Sequence, residues 1–163
     1  MLLDIRKIFA SYDKPAIQEH QIDLSSESFI GYAVQKPVAL KLTFSLDGSV
    51  LELRANMHFT VDTECARCLD EIHREFDIEK IYFIREDEWQ NDELEIELTR
   101  NGQLDLSEFV YSEIVLEVPS VIVCSETCEG LCPVCGRRKP CSCRHETSDG
   151  TDPRLSILKQ LLN

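Results

Sequence analysis

Between Val38 and Val61 the apolar residues switch parity once, and that switch constrains the fold more than any other feature of the chain. Up to Leu46 they fall on even positions (Val38, Leu40, Leu42, Phe44, Leu46), and from Leu51 on odd ones (Leu51, Leu53, Ala55, Met57, Phe59, Val61). A period of two places such residues on one face of an extended strand. Asp47-Gly48 lies between the two runs. An Asp-Gly pair predicts a tight hairpin, because a type I′ turn needs the positive φ that these residues tolerate. Each strand has one apolar face, so the sheet is antiparallel with one side covered. A further strand is predicted from about Ile72 to Ile84, ending in Ile81-Tyr82-Phe83-Ile84, and Ile17 to Leu24 is a weaker candidate.

Helical signals come later. Asp105 stands at an N-cap position with Glu108 three residues on, as a capping box requires, and Leu106, Phe109, Val110 and Ile114 then mark one helical face. Pro119 limits this helix, since the residue before a proline is pushed out of the α region. Asp152-Pro153-Arg154 opens a second helix with an N-cap followed by proline at the first position. Leu155, Leu158, Leu161 and Leu162 give it an apolar stripe, suited to packing on the sheet or to a partner's groove. The predicted class is α+β: a mostly antiparallel β-sheet with a mid-chain helix, a cysteine-rich zinc-binding module and a short C-terminal helix. The predicted division is a sheet-plus-helix domain over 1–119 and a cysteine-rich zinc module with the C-terminal helix over 120–163, packed on the first.

The chain has eight cysteines: Cys65, Cys68, Cys124, Cys128, Cys132, Cys135, Cys141 and Cys143. No apolar run is long enough to cross a bilayer as a helix. The opening Met1-Leu2-Leu3-Asp4-Ile5-Arg6-Lys7 lacks the apolar region and cleavage site of a secretory signal. A cytoplasmic protein with no membrane contact is therefore expected. In a reducing cytosol, closely spaced cysteines are metal ligands or redox thiols more often than disulfides.

Structural zinc is the expected use. Cys65-Ala66-Arg67-Cys68 and Cys132-Pro133-Val134-Cys135-Gly136 have the spacing of metal knuckles, and a glycine after the second cysteine permits the positive φ of such a turn. Eight ligands allow two sites. The preferred partition places Cys65, Cys68, Cys124 and Cys128 on one ion and Cys132, Cys135, Cys141 and Cys143 on another. A single zinc held by the two C-x-x-C pairs is the rival, and the spacing leaves both open. His145 is an alternative to Cys143 as a ligand. All-thiolate sites are closed and contribute folding energy rather than chemistry.

Catalytic alternatives fit poorly. A dithiol catalyst needs its C-x-x-C at a helix start in a thioredoxin-like setting, whereas Cys65 follows a hairpin strand. His73-Arg74-Glu75 matches the H-x-E of zinc deaminases, but the second half of that signature, P-C-x-x-C, is missing. No phosphate-binding glycine motif or nucleophile elbow exists, and His20, His58, His73 and His145 are scattered. The chain is expected to be no enzyme and to take no small-molecule substrate.

Charge narrows the partners. The formal net charge is −13, with a dense acidic block from Glu86 to Glu97. Such a balance repels nucleic acid at long range and favours basic proteins. Arg137, Arg138, Lys139 and Arg144 oppose the trend locally, beside the cysteines. They would offset the charge of a zinc–thiolate centre and are the candidates for a local nucleic-acid contact.

The ordered combination of Cys65-Ala66-Arg67-Cys68-Leu69, Asp105-Leu106, Val118-Pro119, Cys124, Cys128-Glu129-Gly130-Leu131-Cys132-Pro133-Val134-Cys135-Gly136, Cys141-Ser142-Cys143 and Asp152-Pro153-Arg154-Leu155 resembles the bacterial YceD family, the large ribosomal RNA subunit accumulation proteins, in its cysteine-rich branch. The resemblance covers nearly the whole chain. It implies a non-enzymatic factor that supports accumulation of 23S ribosomal RNA and assembly of the large ribosomal subunit. The implied partner is a ribosomal protein, the pre-ribosomal large subunit, or rRNA reached through the local basic patch. Many members lack most of these cysteines, which fits a structural metal. The chain departs from the cysteine-rich members at Arg137-Arg138-Lys139-Pro140, where they tend to carry an Asn-Leu-Asn stretch. A zinc-ribbon nucleic-acid-binding regulator is the alternative from another class.

Overall fold

The structure, a computed structural model, describes residues 1–11, 15–85, 96–99 and 101–143. The predicted C-terminal helix, Arg144, His145 and Glu86 to Glu95 lie outside the described residues.

The parity switch is a hairpin. Strands β3 (Val38–Asp47) and β4 (Val50–Glu64) pair antiparallel, with Leu46 opposite Leu51, Phe44 opposite Leu53, Leu42 opposite Ala55 and Leu40 opposite Met57. All of these except Leu46, which is partly covered, are buried, so one face of the sheet carries the core. Asp47 pairs with Val50, which makes Gly48 and Ser49 the loop residues. Gly48 has φ +60°, and Leu69 is the one non-glycine residue with positive φ among those described. Glycine with positive φ at the first central position followed by an ordinary residue is the type II′ arrangement. The expected type I′ turn is therefore replaced, because strand register holds Asp47 inside the ladder.

β4 continues into β5 (Glu71–Arg85), and β2 (Ala16–Ile22) completes a four-stranded antiparallel meander in the order β2-β3-β4-β5. A second, two-stranded sheet pairs β1 (Leu2–Asp4) with β6 (Gln103–Asp105). Between β1 and β2 lies a short helix, α1 (Ile5–Ser11), whose Ile5 and Ile8 are buried. Sequence patterning did not predict β1, α1 or β6. Elements this short carry too few periods to stand out.

Helix α2 (Leu106–Glu117) begins as predicted. The Asp105 side chain accepts a hydrogen bond from the Ser107 N–H at 3.0 Å, and Val118 closes the helix through its N–H to the Ile114 carbonyl, one residue before Pro119. Its buried side chains are Leu106, Phe109, Val110, Glu113 and Ile114. Phe109 meets Tyr82 of β5 edge-on, with ring centroids 5.6 Å apart. Lys80 of β5 pairs with Glu117 and lies 3.9 Å from Glu113. The helix thus covers the apolar face of the meander, and the pairing gives the buried carboxylate a counter-charge.

Candidate metal centres

The loop joining β4 to β5 is Cys65-Ala66-Arg67-Cys68-Leu69-Asp70, and the ladder on either side is continuous to Glu64 opposite Glu71. The first C-x-x-C therefore lies within a hairpin loop, held by strands on both sides. Inside the loop the Cys65 N–H donates to the Asp70 carbonyl at 2.8 Å and the Leu69 N–H to the Cys65 carbonyl at 2.9 Å, with Leu69 at φ +62°. The segment after α2 then runs back to this loop. Ala66 donates to the Ile122 carbonyl at 2.9 Å, and the Arg74 guanidinium reaches the Val123 carbonyl at 3.0 Å. That return brings Cys124 and Cys128 beside Cys65 and Cys68.

The second C-x-x-C repeats the construction on a smaller scale. Leu131 and Arg138 form an antiparallel bridge around Cys132 to Arg137. The Cys132 N–H donates to the Arg137 carbonyl at 2.7 Å and the Gly136 N–H to the Cys132 carbonyl at 2.8 Å, with Gly136 at φ +67°. Val134 and Cys135 direct their N–H groups at the Cys132 Sγ, at 3.3 and 3.4 Å. The corresponding donor to Cys65 Sγ comes from Cys124, at 3.3 Å. Backbone donors of this kind orient thiolate ligands and favour their charged form.

The cysteines gather into two groups, Cys65–Cys68–Cys124–Cys128 and Cys132–Cys135–Cys141–Cys143, in each of which all four sulfurs lie within 4.8 Å of one another. Cys65 Sγ is 3.9 Å from Cys128 Sγ, and Cys68 Sγ is 3.7 Å from Cys124 Sγ. A tetrahedral zinc with Zn–S bonds of about 2.3 Å sets its sulfurs about 3.8 Å apart. Both groups could hold a metal ion. The two C-x-x-C pairs belong to different groups, an arrangement that differs from the single-ion rival. Neither group includes a described histidine. His73 pairs instead with Asp62, directly opposite on the neighbouring strand, at 2.6 Å.

Crowding sorts the thiols within each group. Burial pushes Cys65 up, but N–H groups of Cys124, Arg67 and Cys68 outweigh it and bring the thiol down to about 6. Burial likewise opposes ionisation of Cys132, and the N–H groups of Cys135 and Val134 with the Cys141 thiol bring it down to about 6. The Asp70 N–H favours the Cys68 thiolate, yet burial and the thiols of Cys65, Cys124 and Cys128 push it up to about 12. Cys143 is pushed up to about 12 by the Cys135 thiol and then by burial. A metal ion bound by such a group would displace the protons of the raised thiols.

The two centres are joined. Arg67 donates from one guanidinium nitrogen to the carbonyls of Glu126 and Cys128, at 3.2 and 2.9 Å, and its own carbonyl accepts from the Leu131 N–H at 3.1 Å. Gly130 makes that approach possible: it has φ +75°, and a Cβ there would lie 2.8 Å from the Arg67 carbonyl oxygen. Arg138 leaves the second knuckle, forms an ion pair with Asp70 and donates to Cys124 Sγ at 3.6 Å. Of the basic residues expected near the cysteines, Arg138 is thus used within the fold, Arg137 is exposed, and Lys139 is half-buried with its N–H on the Gly130 carbonyl. Arg67, Asp70 and Gly130 escaped sequence reasoning. A glycine two residues before a knuckle cysteine was the available signal for Gly130.

A family profile described as "Large ribosomal RNA subunit accumulation protein YceD" matches residues 53–162. The chain belongs to the YceD family. The matched stretch contains most of β4, all of β5, α2 and every cysteine of both groups. A Bacillus subtilis (strain 168) relative, described as "Uncharacterized protein YlbN", is 29% identical over 117 residues, which is 67% of each chain. No solved structure matches. YceD membership ties the chain to large-subunit ribosomal RNA at the level of the family's own description. Among the described residues, no helix is long and apolar enough to cross a membrane.

Proposed function

We propose that this YceD-family chain is a non-enzymatic cytoplasmic factor that supports accumulation of 23S rRNA and assembly of the large ribosomal subunit, by holding a ribosomal protein or a stretch of precursor rRNA. The observation that carries the proposal is the family match across the hairpin and both cysteine groups. The chemistry of the groups agrees with it. Four sulfurs per ion leave no coordination position for water or substrate, so a zinc ion held there would have a closed structural role. Zinc would tie β4 and β5 to the segment after α2 and supply folding energy there.

A basic partner suits the charge. The open face of the meander presents Glu19, Glu52, Glu75, Asp77 and Glu79 against Lys41, Arg54 and Arg85, and Arg54 is already bonded to Glu52 and Glu79, each at 3.2 Å. A net charge of −13 steers basic ribosomal proteins toward the chain and RNA phosphates away. The second reading, a zinc-ribbon nucleic-acid-binding regulator, draws on the exposed Arg137 beside the second centre. It is the weaker one, since Arg138 serves Asp70 and Cys124.

Sedimentation of ribosomes from cells depleted of the protein tests the proposal. A selective loss of large subunits and of their rRNA is expected. A normal profile would overturn it. Salt-sensitive RNA affinity abolished by neutralising Arg137 and Lys139 would favour the second reading.

A further inference from the structure

The two cysteine groups differ in access. In the first, Cys65 and Cys68 are 0% and 4% exposed, inside a loop clamped by the β4–β5 ladder, Cys128 of the segment after α2 is 6% exposed, and Cys124 is partly exposed. In the second, Cys132 alone is buried, at 1% exposed, while Cys135 is exposed and Cys141 and Cys143 are partly so. Cys135, Cys141 and Cys143 line a solvent-open cleft of about 500 Å³ whose wall also carries Arg137, Arg138 and Ser142. Backbone support differs in the same direction: a fifteen-residue strand enters and another leaves the first knuckle, whereas the second stands on a single bridge between Leu131 and Arg138.

We infer that the second centre is an oxidation site for small peroxides that gives up its zinc, while the first centre keeps its own. The inference rests on the zinc assignment proposed above. A thiolate of the second centre attacks one peroxide oxygen, the O–O bond breaks, and a sulfenic acid forms as hydroxide leaves. A second thiolate of the group displaces the remaining hydroxide and forms a disulfide. Two thiolates give up two electrons, and the two peroxide oxygens leave as water after taking up protons. With two ligands gone the zinc is released. The neighbouring sulfurs, all within 4.8 Å, are placed for the second step. The first centre is slower because three of its four sulfurs are buried, so that forming a disulfide from the partly exposed Cys124 needs local opening that the second centre, with Cys135 exposed, does not require.

The test uses the full zinc-loaded chain, treated with hydrogen peroxide in the presence of a metallochromic indicator. Alkylation and peptide mapping locate the oxidised cysteines at each time. The expected result is one zinc per chain released about tenfold faster than the other. The early oxidised cysteines would be Cys132, Cys135, Cys141 and Cys143. A Cys135→Ser chain, which lacks a ligand of the second centre, should load one zinc and release it only at the slow rate. Release of both ions at one rate, or oxidation beginning at Cys65, Cys68, Cys124 or Cys128, would overturn the inference and leave the zinc assignment standing. Fewer than two zinc ions bound before peroxide is added would remove the zinc assignment, and the inference with it.

Discussion

Leu69 and Gly136 occupy the same place in two knuckles of the same design. Each donates its N–H to the carbonyl of the first cysteine, at 2.9 Å for Leu69 and 2.8 Å for Gly136, and each has positive φ, +62° and +67°. Glycine takes that conformation freely, whereas a leucine pays for its Cβ. The strained residue stands in the knuckle that the long β4–β5 ladder holds in shape, and the relaxed one in the knuckle with a single bridge.

This asymmetry predicts opposite responses. Gly136→Val should destabilise the second centre by about 1–2 kcal/mol and raise its zinc dissociation constant by a corresponding factor. Leu69→Gly should leave the first centre unharmed or slightly more stable, since the relief of strain opposes the added chain entropy. Zinc competition titrations and thermal unfolding of both variants check the pair.

Gly130→Ala places a methyl group where 2.8 Å separates it from a backbone oxygen of Arg67. Neither partner is a flexible side chain, and the φ of +75° adds strain. A loss of about 1–3 kcal/mol is expected, with the Leu131 to Arg67 hydrogen bond broken first. Hydrogen exchange at Leu131 should rise while the β3–β4 amides stay protected.

Arg138→Gln removes a partner of both Asp70 and Cys124. The ion pair is half-exposed, so global stability should change by less than about 1 kcal/mol. Zinc affinity of the first centre should fall by about tenfold, because the guanidinium supports a ligand sulfur. Native mass spectrometry at graded chelator concentrations reads the two quantities apart from unfolding.

Acid should strip both centres. Zinc binds thiolates, and at neutral pH Cys68 and Cys143, pushed up to about 12, still carry protons, as do the raised Cys124 and Cys141. At least two protons therefore leave each centre per ion bound. Apparent affinity should rise by about two decades per pH unit around neutrality. Below about 6, where Cys65 and Cys132 take up protons as well, the fall becomes steeper. Zinc-linked stability is thus greatest at high pH and shrinks as pH falls, and competition titrations across this range test the slope.

Cys132→Ser should lower zinc content from two ions to one per chain and loosen residues 129–143, while the meander persists. Unchanged zinc content in that variant would contradict the assignment of Cys132 as a ligand.

Parity alone determined the hairpin, because burial of one face makes a one-residue slip expose a whole strand. Spacing alone marked both knuckles, since a C-x-x-C turn is a local geometry. The Asp105 cap and Pro119 bounded α2 for the same local reason. Tertiary structure decided the rest. Only the return of the chain after α2 could choose which knuckle Cys124 and Cys128 join, and local spacing does not contain that contact. β1 and β6 exist because Leu2 meets Asp105 across most of the chain, a pairing with no local signature. Strand register, not turn propensity, moved the β3–β4 turn one residue past Asp47. Arg138 reads as a free surface cation in sequence and, still at the surface, becomes the partner of Asp70 and Cys124 only because the second knuckle folds against the first. Local chemistry names the groups that can hold a charge or a metal, and three-dimensional proximity determines which of them meet.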